Sequence, residues 1–326
     1  MRLYNIYSRE ELLKQRSAEA FERKTVSFYR YVIIDNPTEL RDRLYADWFS
    51  MGVMGRVYIA REGINAQISV PVPEIDNFIN YLNDTSYFAD MPMKWAVEDS
   101  HLSFLKLKMK VRNKIVADGL EDGSFDVTNV GKHLTAEEFN AAMQEEGTIV
   151  VDMRNNYESE IGRFDEAICP DVNTFREEVE YVTETLSDKK DSKILLYCTG
   201  GVRCEKASAY LKHKGFKNVN QLFGGVIEYA RQVDEQQLES KFRGKNFVFD
   251  ERLGERITDD IISNCHQCGA PCDTHINCAN DACHLLFIQC PDCAVKYEQC
   301  CSKECCNTNR ILKQEREEIT NSFISQ

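Results

Sequence analysis

The segment Cys198-Thr199-Gly200-Gly201-Val202-Arg203 packs a thiol, two glycines and a guanidinium into six residues. It lies between the apolar run Lys193 to Tyr197 and a helical run that starts near Cys204 and stops at Gly215. In open α/β sheets reactive groups collect at the carboxyl ends of strands, where helix N-termini present free amides. A cysteine there is expected to have a lowered pKa, because the amides, the helix dipole and the charge of Arg203 all favour the thiolate. The two glycines let the backbone curl around the sulfur, and such a cup of amides suits a thiolate, a persulfide or an oxygenated sulfur. An isolated cysteine is commonly an inert small hydrophobe. Two glycines and an arginine would be an odd core filling, so Cys198 is read as the nucleophile, with Thr199, Gly200, Gly201, Val202 and Arg203 as its loop. Cys204 is a candidate resolving thiol but reads rather as helix interior, and Cys169 reads as packing.

A second concentration of sulfur lies downstream, where eleven of the 14 cysteines fall within the 42 residues from Cys265 to Cys306. Cys265-x-x-Cys268 and Cys290-x-x-Cys293 have the spacing of knuckles that build tetrahedral zinc sites. The expected ligands are Cys265, Cys268, Cys272, Cys278, Cys283, Cys290, Cys293 and Cys300, with Cys301, Cys305 and Cys306 also available to complete the sites. One or two structural zincs would supply folding energy that so small a segment cannot draw from a core. The rival readings are an iron–sulfur cluster and a set of disulfides. His266, His275 and His284 stand beside enough cysteine to be unnecessary as ligands.

These groups need a frame. A chain of 326 residues, 43% hydrophobic and 29% charged, has room for two domains and a third small one. It is neither fibrous nor disordered as a whole. A net charge of -13 argues against a protein that coats nucleic acid or anionic membrane through bulk charge. No run approaches the roughly 18 apolar residues of a membrane span, and the first residues have no signal-peptide core, so a cytoplasmic location is expected. Reducing conditions there favour metal ligands and reactive thiols over disulfides.

Residues 1–115 mix strand-like and helix-like runs. Lys24 to Ile34 reads as a strand, and Thr38 to Gly52 as a helix capped by Thr38 and stopped by Gly52. Two strands follow around the turn Arg61-Glu62-Gly63, then a helix from Pro73 to about Leu82, and a last strand from His101 to Arg112. That order predicts a ferredoxin-like α+β domain, a candidate RNA-binding unit. Residues 116–131 read as a linker. From 132 to 240 a capping box at Thr135 and Glu138 opens a run of alternating helices and strands, Thr148 to Arg154, Lys193 to Cys198 and Asn218 to Phe223. This predicts an α/β domain with a covered parallel sheet. Residues 241–326 read as a basic arm, then the cysteine-rich metal-binding segment, with a polar tail after Cys306 expected to fray.

The strand near 106–112 places Lys106, Lys108, Lys110 and Arg112 on one face and Leu107, Met109 and Val111 on the other. The basic stripe could track phosphates, or it could be an ordinary solvated face. Phe28, Tyr29 and Tyr58 are candidates for stacking on bases of a single-stranded loop. Lys241, Arg243 and Lys245, with Phe242 and Phe247, form a second candidate surface.

The cysteine loop, Asp152 and Arg154 after a strand, Glu158 and Gly162 downstream, and the pair Gly224-Gly225 together resemble a rhodanese domain over about residues 132–236. The loop is the short form that this family uses for sulfur. Asp152 and Arg154 are read as an ion pair that orients the loop. The wider chain resembles the bacterial tRNA uridine hydroxylases, through GRVYIAREGINAQISV (55–70), VRNKIVADG (111–119), the loop CTGGVRCEKAS (198–208), NFVFDERLGERI (246–257) and CHQCGAPC (265–272). That resemblance implies oxygen-dependent formation of 5-hydroxyuridine at the tRNA wobble position, with molecular oxygen as co-substrate and the anticodon loop as partner. The residues themselves show no two-His-one-carboxylate set, no haem motif and no flavin fingerprint. A persulfide sulfurtransferase acting on tRNA or a protein acceptor, and a non-catalytic zinc and RNA-binding adaptor, are the alternatives.

Overall fold

The computed structural model describes residues 4–97, 103–121 and 124–324, and for 313 and 316–324 the backbone alone. The chain forms an α+β unit, a parallel α/β unit and a cysteine-rich segment, the three-part organisation expected from the sequence.

After a short helix α1 (Arg9–Ser17), the first unit runs β1 (Arg23–Tyr31), α2 (Pro37–Ser50), β2 (Met54–Ala60), β3 (Gly63–Pro71), α3 (Ile75–Asp84), β4 (Lys94–Trp95) and β5 (Leu107–Val111). The sheet order is β4-β1-β3-β2-β5, with β5 parallel to β2 and the other neighbours antiparallel. The first four strands therefore have the ferredoxin-like order. The strand that closes that motif is the two-residue β4. The strand with the visible alternation, 107–111, lies instead at the opposite edge. Two residues carry no period to read, which is why the last strand was expected over 101–112; His101 and Leu102 lie outside the described residues. Helix α2 also begins earlier than expected. Asn36 rather than Thr38 accepts the Glu39 backbone N–H, and Pro37, whose missing N–H is no loss there, takes the first helical position.

Alternation gives this sheet two unlike faces. Val26, Phe28, Val57, Ile64 and Ile68 are buried under α2 and α3, where Trp48 stands edge-on to Phe28 and Phe78 with ring centroids 6.1 and 5.1 Å apart. Burial of each such ring contributes on the order of 2 kcal/mol. One face suffices to hold both helices, so the other is left for polar side chains.

The second unit has the all-parallel order β6-β10-β9-β7, from β6 (Lys132–Leu134), β7 (Ile149–Asp152), β9 (Lys193–Tyr197) and β10 (Asn218–Leu222). Helices α4 (Ala136–Met143) and α8 (Gly225–Glu235) cover one face. Helices α6 (Phe175–Thr185) and α7 (Val202–His213) cover the other. The short α5 (Asn156–Ile161) leads into β8 (Gly162–Phe164), which pairs with β11 (Phe242–Asn246) and through it with β12 (Glu255–Arg256).

That pairing corrects the expectation of a basic arm. Residues 242–246 are a strand, with Phe242 buried against Phe164 at 5.3 Å. Its cations are already matched: Lys241 with Glu239, Arg243 with Asp165 at 2.7 Å, and Lys245 with Asp273 at 2.8 Å. The segment is a strand that splices onto β8, burying Phe242, Gly244 and Asn246, while Arg243 stays exposed and Lys241 and Lys245 half-buried, each cation already engaged by a carboxylate. The described part of 116–131 has no helix or strand, yet it is pinned, because the buried Asp118 pairs with Lys114 at 2.8 Å and with Lys206. Lys206 also reaches Glu62 at 2.8 Å, tying β2–β3 to α7 just behind the cysteine loop.

The last segment holds β13 (His275–Asn277), β14 (Leu286–Ile288), α9 (Pro291–Lys296) and α10 (Lys303–Ile324). Residues 307–324 thus continue a helix where a frayed tail was expected, and the last two residues lie outside the described ones. Among the described residues no helix is long and apolar enough to cross a membrane.

Candidate active site at the cysteine loop

Cys198 sits at the carboxyl end of β9, fully buried, and the Gly201 backbone N–H donates to its Sγ at 3.2 Å. Gly201 takes φ +96°, a left-handed conformation, and a Cβ there would stand 2.9 Å from the Tyr29 hydroxyl, so only glycine can turn the chain at this point. Gly225 has φ +70°, and a Cβ on it would come within 2.4 Å of the Cys198 carbonyl oxygen. The loop is therefore clasped between the Gly224-Gly225 turn and the N-terminal sheet.

Its other end is held by charge. Arg203 forms a two-point pair with Glu158, Nη1 to Oε1 at 2.6 Å and Nη2 to Oε2 at 2.8 Å, and both residues are buried. Thr199 donates from Oγ1 to Glu158 at 3.0 Å. Glu158 is thus the residue that locks the loop, a role that spacing alone gives no means of assigning. Asp152 and Arg154 do form a buried two-point pair, at 2.7 and 2.8 Å, but they stand one strand away from the sulfur. Arg154 also donates to the Gly162 carbonyl at 2.6 Å, and Tyr197 donates to Asp152 at 2.7 Å. They hold β7, β8 and β9 together, and so act on the loop through its supports.

Burial raises the Cys198 pKa, but the Cys204 thiol, the Arg203 charge and the backbone N–H groups of Cys204 and Gly201 outweigh it, and the pKa is pulled down to about 6. Cys204, buried beneath it, is pushed far the other way by burial. Cys169 is pushed up by burial to about 11 and donates to the Ala167 carbonyl at 3.6 Å, as a packing residue would.

Facing the loop across a cleft of about 380 Å³ is the polar face of the N-terminal sheet. Strand register arranges its side chains in two rows. One runs Lys94, Ser27, Gln67, Arg56, Lys108; the other runs Tyr29, Asn65, Tyr58, Lys110. Both rows begin beside Cys198 and end on the basic stripe. Lys106, Lys108 and Arg112 are exposed and Lys110 half-buried, and among the described residues none of the four has a carboxylate partner. Their crowding shows in Lys108, whose pKa is lowered by Lys110 first, then by burial and by Arg56, Lys106 and Arg112. Arg112 lies over the Tyr58 ring at 5.7 Å. All three aromatics considered for stacking border the cleft, but the ring of Phe28 is packed into the core against Trp48 and Phe78, which leaves Tyr29 and Tyr58 to offer their rings.

Ser27, Gln67, Arg56, Lys94 and Phe249 also line the cleft and are not evident as site residues in the sequence. The available signal was the polar residue at every second position of β1 and β3. Lys94 is buried, its Nζ 4.1 Å from the Tyr29 ring centroid, and burial pulls its pKa down to about 8.

The downstream cysteines gather into two sets of four, Cys265, Cys268, Cys290 and Cys293, and Cys278, Cys283, Cys301 and Cys305, with the sulfurs of each set within 4.8 Å of one another. A single zinc, with Zn–S bonds of about 2.3 Å, sets its four sulfurs roughly 3.8 Å apart. The separations of 3.6 Å for Cys268–Cys290, 3.7 Å for Cys283–Cys301 and 3.5 Å for Cys301–Cys305 fit that cage, and are far too long for disulfides. Both sets repeat one supporting bond: Cys290 N–H donates to Cys265 Sγ and Cys301 N–H to Cys278 Sγ, each at 3.4 Å. Each set could hold a metal ion.

Two of the eight expected ligands fall outside these sets. Cys272 is packed against Ile288, with both of its backbone polar groups bonded to Ser263. Cys300 presents its carbonyl to Gln267 at 3.0 Å and accepts a bond from Asn309 on its sulfur at 3.8 Å. Cys301 and Cys305 take their place, and no histidine belongs to either set.

Comparison with known proteins agrees with this architecture. Residues 23–115 match the UPF0176 acylphosphatase like domain, 135–232 the Rhodanese-like domain and 243–306 the Rhodanase C-terminal model. A protein of Leptospira interrogans named tRNA uridine(34) hydroxylase is 58% identical over 99% of this chain and 88% of its own length. Proteins of the same name from Pectobacterium carotovorum and Yersinia pestis are 52% and 51% identical, over 97% and 96% of this chain and 90% and 89% of theirs. The chain belongs to the tRNA uridine(34) hydroxylase family.

Proposed function

We propose that this protein hydroxylates C5 of the wobble uridine of tRNA in the cytoplasm, with O2 as oxidant and Cys198 as the reacting sulfur. The observation that carries this reading is the pairing of a low-pKa, enclosed cysteine with a facing wall whose polar rows lead out to an unpaired basic stripe. The family name of the relatives supplies the base. In the overall reaction one oxygen atom enters the C5–H bond, and the other leaves as water with two electrons and two protons from an external reductant.

Within that scheme Cys198, as thiolate or persulfide, is held anionic by the Gly201 amide and by Arg203 while it engages the uracil. Glu158 fixes Arg203 so that the cation stays beside the sulfur. Lys106, Lys108, Lys110 and Arg112 dock the RNA backbone, and Tyr58 offers a ring to an unstacked base. Each cysteine set holds one zinc, which when bound supplies structural cross-linking. A multi-iron cluster would splay its thiolates wider than the spacings above. The persulfide sulfurtransferase is the second reading, because the same amide cup suits a transferable sulfur.

Four outcomes are expected. Changing Cys198 to Ala should reduce 5-hydroxyuridine formation at least ~100-fold while tRNA affinity stays within about twofold. In the wild type, the rate of Cys198 alkylation should rise through about pH 6 rather than near 9, because only the thiolate attacks; nucleoside mass spectrometry and quenched alkylation read these, and an active Ala variant contradicts the assignment. Replacing Lys108 and Lys110 together with Ala should weaken tRNA binding and lower the slope of log affinity against log salt by about 1 to 2, since each lost phosphate contact removes roughly 0.7 to 0.9; an unchanged slope removes the stripe from the interface. Metal analysis should return two zincs per chain, and stripping them with a chelator should unfold the segment from about residue 260 onward, seen as a loss of protection in hydrogen exchange. A metal-free protein with the same protection contradicts the zinc assignment.

A further inference from the structure

The cross-strand row nearest Cys198 contains two long polar side chains with nothing to bind. Lys94 and Gln67 stand on either side of Ser27, paired with it across β4 and β3. Both line the cleft. Among the described residues neither head has a hydrogen-bond or ion-pair partner; the Lys94 ammonium has the Tyr29 ring beneath it at 4.1 Å, and the charges of Cys198, Glu205 and Glu228 act on it without making a direct pair. Ser27 between them is short, and its hydroxyl is shut away from solvent, so the two longer chains rise beside a hollow in the sheet face. The glycine loop roofs that hollow: a Cβ on Gly200 would lie 4.0 Å from Ser27 Oγ. The neighbouring polar groups are already engaged, Tyr29 donating to Glu205 at 2.9 Å and Asn65 to the Ile115 carbonyl at 3.3 Å.

A buried ammonium whose three N–H groups have no acceptor in hydrogen-bond reach is costly even with anions near it, and a ligand carbonyl placed there would relieve that cost. An ammonium donates only, whereas a carboxamide both donates and accepts. Together they complement an edge that carries carbonyl oxygens around one N–H, which is the imide edge of uracil. Cytosine would set an amino group against the ammonium, leaving donor facing donor. We propose that Lys94 and Gln67 read the imide edge of a uracil turned out of the anticodon loop, Lys94 donating to a ring carbonyl and Gln67 pairing with the N3–H. This assignment rests on the reading that the wobble uridine is the substrate, and makes the two residues the determinants of uridine over cytidine.

The test uses two tRNA transcripts that differ only in uridine or cytidine at the wobble position. They are bound to the full chain and to its Lys94→Met and Gln67→Leu variants, with hydroxylation of the uridine transcript measured in parallel. The wild type should prefer uridine by about tenfold, the worth of one or two such bonds. Each variant should bring that ratio toward unity and lower kcat/KM by about tenfold or more. A purely structural lysine would instead lower the melting temperature of Lys94→Met and weaken binding of both transcripts alike, leaving the uridine-to-cytidine ratio unchanged. Equal binding of the two transcripts by the wild type, or variants that keep its preference, overturns the inference whatever the hydroxylation assay gives. A wild type that discriminates but never hydroxylates overturns the proposed reaction and leaves the base site standing.

Discussion

The site depends on keeping an anionic sulfur out of water. A buried thiolate is expensive unless fixed dipoles and a charge stand in for solvent, and here both come from one turn: the Gly201 amide at 3.2 Å and the adjacent Arg203. Arg203 is itself buried, so it in turn requires Glu158, whose two oxygens take its two terminal nitrogens. Removing one member of such a pair would leave a charge uncompensated at a cost of about 3–5 kcal/mol. The chain of compensation runs outward from the sulfur, and each link fixes the geometry of the one before it.

The N-terminal unit supplies the opposite wall because its sheet needs only one face for its own core. With α2 and α3 on that face, the other is free to carry Lys94, Gln67, Arg56 and Lys108 in one register-defined row. The Lys206–Glu62 and Tyr29–Glu205 contacts press this wall against α7. The two units therefore enclose one cleft, with the low-pKa sulfur on one wall and the polar rows on the other. The protein's net charge of -13 does not oppose this, because the stripe is local and has no carboxylates of its own among the described residues.

The cysteine loop was legible in the sequence because everything that defines it is local: a strand, a thiol, two glycines and a helix start within a few residues. The alternation of Lys106, Lys108 and Lys110 was legible for the same reason. What was not legible depends on pairing across distance. Spacing leaves the choice among eleven cysteines open, so Cys272 and Cys300 were expected where Cys301 and Cys305 stand; only the fold brings the second set together. Glu158 had no local mark of its partnership with Arg203, 45 residues on. The cations of 241–245 read as a free surface because their partners, Asp165 and Asp273, lie far away in sequence. β4 is too short to show any period, which hid Lys94.

An enclosed sulfur that serves O2-dependent hydroxylation leaves an atom of O2 in the base, whereas one that serves sulfur transfer leaves sulfur there. The two are separated by incubating the protein with unmodified tRNA and reductant under isotopically labelled O2, then analysing the wobble nucleoside by high-resolution mass spectrometry. Wild-type reactions should place one labelled oxygen in the uracil, and reactions of the Cys198→Ala variant none. Sulfur in the base without label, or oxygen that carries the isotope of water, would contradict O2-dependent hydroxylation.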